Sequence, residues 1–207
     1  LMHEDKHDAL NDLYKKTSIN LQVVGGFVML CIFVNINQLY VMVPKEYSGG
    51  ILVVFLIGIS KYFDLILGNN NAIIFNSKYY RMVLFLGLLL VFLTVGLNMF
   101  FIPRYAITGT AIATLLSITL YSLAKLLFVV KRMHLYPFTK QTLYSLAITF
   151  GIFLLFYFWE FPFNPIISIG LKSILVTLLY VYINYKFVIS IEINQALDAV
   201  IMKLKKN

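Results

Sequence analysis

The sequence predicts an all-α protein, a polytopic membrane bundle of about six transmembrane helices. The 207 residues are 60% hydrophobic and only 13% charged, with a mean hydropathy of +0.85, far more apolar than a soluble domain of this length needs. Six apolar stretches approach the roughly 20 residues that cross a hydrocarbon core, and short connections separate them. The basic residues also alternate from loop to loop.

Residues 1–18 are expected to form a cytoplasmic connector, with Leu10, Leu13 and Tyr14 making a small apolar face at helical spacing. The first crossing is predicted over 19–43, followed by an outer turn from Pro44 to Gly50. The second, 51–67, is short, so some tilt or bilayer thinning is expected around it. Gly68 to Arg81 forms an inner loop in which Asn69, Asn70 and Asn71 terminate the helix and turn the chain. The third crossing covers 82–102, and Pro103, which lacks an N–H and biases Ile102 away from helix, is expected to stop it. Arg104 then sits at headgroup level. The fourth crossing, 107–130, opens with Gly109 and Ala113 four apart, a small-xxx-small spacing that lets a neighbouring backbone approach. An inner loop broken by Pro137, a short fifth crossing over 142–159, an outer loop from Glu160 to Pro165 and a sixth crossing over 166–189 complete the membrane domain. Short loops make successive helices antiparallel neighbours. In 190–207, Ile193, Leu197, Val200, Ile201 and Leu204 recur at helical spacing beside Lys203, Lys205 and Lys206, which predicts an amphipathic helix on the inner membrane surface.

The formal charge of +8 is accounted for by topology. With the N-terminus cytoplasmic, that side receives Lys6, Lys15, Lys16, Lys78, Arg81, Lys131, Arg132, Lys140, Lys186, Lys203, Lys205 and Lys206; the opposite loops hold only Lys45 and Arg104. This positive-inside pattern puts both termini in the cytoplasm and makes anionic membrane lipids the partners of the excess charge. No basic patch interleaved with stacking aromatics is present, which argues against nucleic acid. Cys31 is the single cysteine and lies in an apolar segment, so neither a disulfide framework nor a cysteine-based metal site is available.

The stretch Leu97-Asn98-Met99-Phe100-Phe101-Ile102-Pro103-Arg104-Tyr105, followed by Gly109-Thr110-Ala111-Ile112-Ala113-Thr114, resembles the late-middle segment of bacterial polysaccharide flippases, of the superfamily that also holds multidrug and toxin extruders. Gly68-Asn69-Asn70-Asn71-Ala72-Ile73-Ile74 with Ser77-Lys78-Tyr79-Tyr80-Arg81 is similar to that family's loop before the hairpin, and Leu13-Tyr14-Lys15-Lys16 to its entry into an earlier helix. Ala106 stands where the family commonly has Gly, and Thr110 where Ala is usual. The resemblance implies a C-terminal lobe of a flippase-type fold plus accessory helices, a missing N-terminal lobe, and location in the bacterial cytoplasmic (inner) membrane. It also implies a polyprenyl-linked oligosaccharide as the cargo, moved across that membrane for polysaccharide biosynthesis such as O-antigen or lipopolysaccharide assembly. A multidrug or toxin antiporter shares the scaffold and is the alternative.

Ionisable groups inside a bilayer are costly and point first to function, which singles out Lys61 and Asp64, three apart on one face of the second segment. Two readings stand. In one, Lys61 meets a lipid-linked pyrophosphate or sugar while Asp64 balances it or binds a coupling proton or Na+. In the other, both reach the inner interface, since Asp64 lies only four residues before Gly68. Lys125 is expected to snorkel, whereas Lys172, on a side otherwise poor in positive charge, is a candidate for phosphate delivered to the outer leaflet. Asn98, with Asn35, Asn37, Gln38 and Asn184, is a candidate for a hydrated sugar pathway or for interhelical hydrogen bonds. A membrane-embedded polysaccharide-assembly enzyme or a structural subunit is the rival from another class. His3, His7 and His134 all lie outside the apolar spans, and no paired-acid, His-acid or metal-ligand motif accompanies them, so no catalytic residue, metal site or cofactor is predicted.

Overall fold

The computed structural model describes residues 4–204, so His3, Lys205 and Lys206 lie outside the described residues. Within them the chain is all helical, with no strand. Four helices are long and apolar enough to cross a membrane, over His7–Phe33, Met82–Met133, Lys140–Tyr157 and Pro165–Lys186.

α1 runs from Glu4 to Phe33, so the segment before residue 19 and the first apolar stretch form one continuous helix. Its early turns are held by protein: Tyr14 is buried and donates to the Leu67 carbonyl and to Asn70, Ser18 donates to the Ile66 carbonyl, and the Tyr136 N–H donates to Asn11 at 2.9 Å. These side chains fasten the start of α1 to the end of α3 and to the segments after it and before α6. The single crossing expected over 19–43 is also divided. α1 stops at Phe33, and after a turn at Val34 and Asn35 a short α2 (Ile36–Val41) follows. A 3-10 turn at Lys45–Gly50 leads into α3 (Ile51–Ile66), which ends where Gly68 takes the left-handed conformation (φ +69°). α4 (Asn70–Phe75) is one short stretch of the connection that follows.

α5 (Met82–Phe128) has helical backbone throughout except at Ala106, with φ 48° and ψ −125°. A straight helix of its 47 residues would be about 70 Å long. The Tyr79 and Phe128 rings instead meet edge to face with centroids 5.4 Å apart, and Gly109 packs against the Phe101 backbone. The chain therefore reverses at Ala106 into two antiparallel legs, 82–105 and 107–128. Pro103 does not end the first leg as the sequence predicts. It removes one donor in the last turn, while helical geometry continues through Tyr105, and the left-handed Ala106 makes the corner. Arg104 stays in that last turn, donating to the Phe100 carbonyl at 2.8 Å with its guanidinium 3.9 Å from the Phe100 ring centroid.

A π turn (Val129–Met133) and left-handed His134 close the hairpin, and α6 (Lys140–Tyr157) starts from a reciprocal cap between Thr139 and Thr142. α7 (Pro165–Lys186) opens with Asn164 capping and Pro165 in the first turn. α8 (Ile191–Leu204) begins where the Ile193 N–H donates to Ser190 Oγ at 3.1 Å. Ile193 and Leu197 sit among Val23, Phe27 and Tyr180, Tyr185 donates to Asp198 at 2.6 Å, and Lys16 pairs with Glu192 at 3.7 Å. The apolar side of α8 is therefore used partly on α1 and α7.

One core joins α1, α6 and α7 through Ile19, Val23, Leu30, Val34, Ile152, Phe156, Val176 and Tyr180. Another closes the end of the hairpin opposite Ala106, around Tyr14, Ile74, Leu86, Val129 and Leu135. Large apolar side chains such as Phe92, Met99, Ile107 and Leu178 point outward. That is the pattern of a bundle solvated by lipid, in which packing and internal hydrogen bonds rather than water exclusion hold helices together.

Candidate functional site

Polar side chains inside the bundle form rows at a spacing of four. On α7 the buried row is Ser168, Lys172, Val176, Tyr180 and Asn184; on α1 it is Tyr14, Ser18, Gln22, Gly26 and Leu30; on α6, Ser145 and Thr149 lie in one row. Residues four apart share a helix face, so each helix turns a polar stripe inward and leaves apolar faces to lipid.

Where the rows converge, α1, α3, α6 and α7 enclose an uncharged polar cluster. Tyr180 donates to the Val23 carbonyl at 2.9 Å, Gln22 donates to the Thr142 carbonyl at 2.9 Å, and the Tyr62 hydroxyl lies 3.5 Å from Thr149 Oγ1. Gly26 makes the space: a Cβ there would come within 2.9 Å of the Tyr180 hydroxyl and 3.0 Å of Thr149 Oγ1. Gln22 Oε1, Ser145 Oγ and Asn184 Oδ1 have no hydrogen-bond partner among the described residues. Hydropathy alone obscures Gln22, Tyr62, Ser145, Thr149 and Tyr180. The four-residue recurrence of polar and small side chains is the signal that points to them.

Lys172 lies in the same α7 row near the break in α1. It is 0% exposed, and its ammonium donates to the Val34 carbonyl at 3.2 Å. That carbonyl follows the last residue of α1, so the cation sits at a helix C-terminus, where the backbone dipole favours positive charge. The same turn is held by Asn35, whose amide donates to the Cys31 carbonyl at 2.8 Å and to Ser173 Oγ at 3.0 Å, while its own oxygen is unpartnered among the described residues. Lys172 is therefore enclosed against backbone rather than extended toward headgroups.

Asp64 and Lys61 are not brought together. Asp64 Oδ1 accepts from Ser122 at 2.6 Å and from Lys125 at 3.2 Å, joining α3 to the second hairpin leg. Lys125 does not snorkel: its side chain is 4% exposed, its ammonium lies 4.4 Å from the Tyr121 ring centroid, and Tyr121 donates to Asn71 at 3.3 Å. Lys61 and Asp64 are three positions apart, but about 100° per residue leaves them some 60° apart around the helix, enough for different neighbours. Lys61 is exposed at the edge of a groove between α1 and α3.

Asn98 bonds within its own leg, donating to the Thr94 carbonyl at 2.7 Å. Gly109 and Ala113 are buried on the second leg, and Gly109 meets the Phe101 backbone of the first. Asn70, expected in a simple turn, is buried and accepts the Tyr14 hydroxyl.

Compared with known protein families, characterised proteins and solved structures, the chain matches none.

The arrangement holds charge inside the bundle: an enclosed cation on a helix end at Lys172, the Asp64–Lys125 pair between α3 and the hairpin, and a neutral cluster of hydroxyl and amide groups between four helices. Among the described residues no three His, Cys, Asp or Glu side chains gather as a metal site would need.

Proposed function

We propose that this chain is the membrane domain of a flippase or exporter that moves a polyprenyl-linked oligosaccharide across the bacterial cytoplasmic membrane for polysaccharide assembly. The observation that carries this reading is Lys172, fully enclosed and bonded to the carbonyl freed where α1 breaks. Transport proteins place substrate and ion sites at such discontinuous helices, and an intramembrane cation is retained at a cost that function can justify. The hairpin corner supports it as well, because the stretch resembling polysaccharide flippases is the stretch that reverses at Ala106.

In this reading the chain crosses the membrane six times, with α3 and each leg of α5 as crossings and both termini cytoplasmic. The domain rocks against a second lobe, and the polar stripes line the side on which headgroup and sugars pass. Asp64 and Lys125 tie α3 to the hairpin, and a proton or Na+ gradient supplies the direction. No bond is made or broken in the cargo.

Reconstitution of the intact protein, this domain together with its second lobe, in proteoliposomes with a fluorescent lipid-linked oligosaccharide tests the reading. Wild-type protein should expose the headgroup to an external quencher at a rate that Lys172→Met lowers at least about tenfold at equal insertion, as expected for loss of an intramembrane charged contact. Gradient-driven dye or drug export without glycan movement would transfer the assignment to the antiporter alternative. Movement of neither cargo by wild-type protein would sink both.

A further inference from the structure

The groove between α1 and α3 lies on the outer side of the polar cluster and shares only Tyr62 with it. It has a volume of about 490 Å³, within the range of small-molecule sites, and is walled by Val24, Val28 and Ile32 on α1 and by Val54 and Ile57 on α3, with Lys61 on its rim. On each helix the lining runs over thirteen residues, 21–33 and 53–65, whose twelve steps of 1.5 Å cover about 18 Å. One leaflet contributes about 15 Å to a hydrocarbon core of about 30 Å. The groove therefore matches a single acyl chain in length.

Lys61 decides what kind of chain. It is exposed, one turn in from the Leu65 end of the lining, and makes no ion pair among the described residues. The nearest acid on its own helix, Asp64, is taken by Lys125 and Ser122. A cation on a lipid-facing surface is costly unless its long stem brings it to an anion, and the anion available there is a lipid phosphate. Its position on α3, five residues before Ile66, puts that phosphate near the inner end, the side rich in Lys and Arg.

We propose that the α1–α3 groove binds one anionic phospholipid, with an acyl chain along the groove and the phosphate paired to Lys61. This site does not depend on the transport reading. It gives the protein a specific lipid partner whether it moves glycans, drugs or nothing.

Native mass spectrometry of the full chain, released from bilayers of equal phosphatidylglycerol and phosphatidylcholine, tests the site. Wild-type protein should retain one phosphatidylglycerol about fivefold more often than phosphatidylcholine, the preference expected from one basic residue near an anionic lipid. Lys61→Met should abolish the preference and Lys61→Arg should keep it. Val28→Trp, which fills the groove and leaves Lys61 in place, should lower retention of both lipids. Equal retention of phosphatidylglycerol by wild type and Lys61→Met would overturn the phosphate contact, and unchanged retention by a folded Val28→Trp protein would overturn the groove. A wild-type spectrum of lipid-free dimers would assign the groove to a second copy instead.

Discussion

Lys125 Nζ lies 3.2 Å from Asp64 Oδ1, and the two ends of this pair differ in burial: the lysine side chain is 4% exposed and the aspartate 44%. The link is therefore asymmetric. Asp64→Asn leaves an enclosed ammonium without its counter-charge and should lower stability by about 1–3 kcal/mol, between the values for surface and buried pairs. Lys125→Met leaves a half-exposed carboxylate that still accepts from Ser122 at 2.6 Å, and should cost less than about 1 kcal/mol. Thermal unfolding in detergent measures both; a larger loss for Lys125→Met would reverse this account.

Ala106 turns the hairpin at φ 48° and ψ −125°, a region that glycine enters without the steric cost that a Cβ imposes. Ala106→Gly should stabilise the protein by about 1 kcal/mol, net of the added freedom of the unfolded chain. A fall in melting temperature would show that the corner is not under strain.

At Gly109 a Cβ would collide with the Phe101 carbonyl, a backbone group that cannot swing aside. Gly109→Ala should thus already cost more than about 2 kcal/mol, with Gly109→Leu worse. Gly96, on the first leg, has nothing within 4 Å of the same construction, so Gly96→Ala should be neutral or stabilising by up to about 1 kcal/mol. Equal melting temperatures for the two alanine variants would remove the close contact between the legs.

Orientation is testable with single cysteines in a Cys31→Ala background. An impermeant thiol reagent applied outside should label cysteines at Glu46 and Phe161 and miss those at Ser77 and Thr139, as the basic-residue asymmetry requires. The opposite labelling would invert the bundle.

Helical class and the apolar stretches were legible because each rests on a local property, a run of Leu, Ile, Val and Phe, and the end of α3 because Gly68 and the asparagines after it stop a helix. The starts of α3, of the first leg of α5 and of α7 fall within a residue of expectation for that reason. Boundaries set by distant contacts were not legible. Residues 4–18 are helical where Tyr14, Ser18 and Asn11 meet loops more than forty positions away, and the break after Phe33 is held by Lys172 and Ser173 from α7.

Charge pairing followed the same division. Sequence alone determined that Lys61, Asp64, Lys125 and Lys172 lie in apolar segments, because hydropathy is a property of neighbours along the chain. Only the tertiary structure decided that Asp64 belongs to Lys125, Lys172 to the Val34 carbonyl and Lys61 to a lipid-facing groove. Coulomb and hydrogen-bond energies depend on distance through space, and helix packing, not sequence separation, sets that distance.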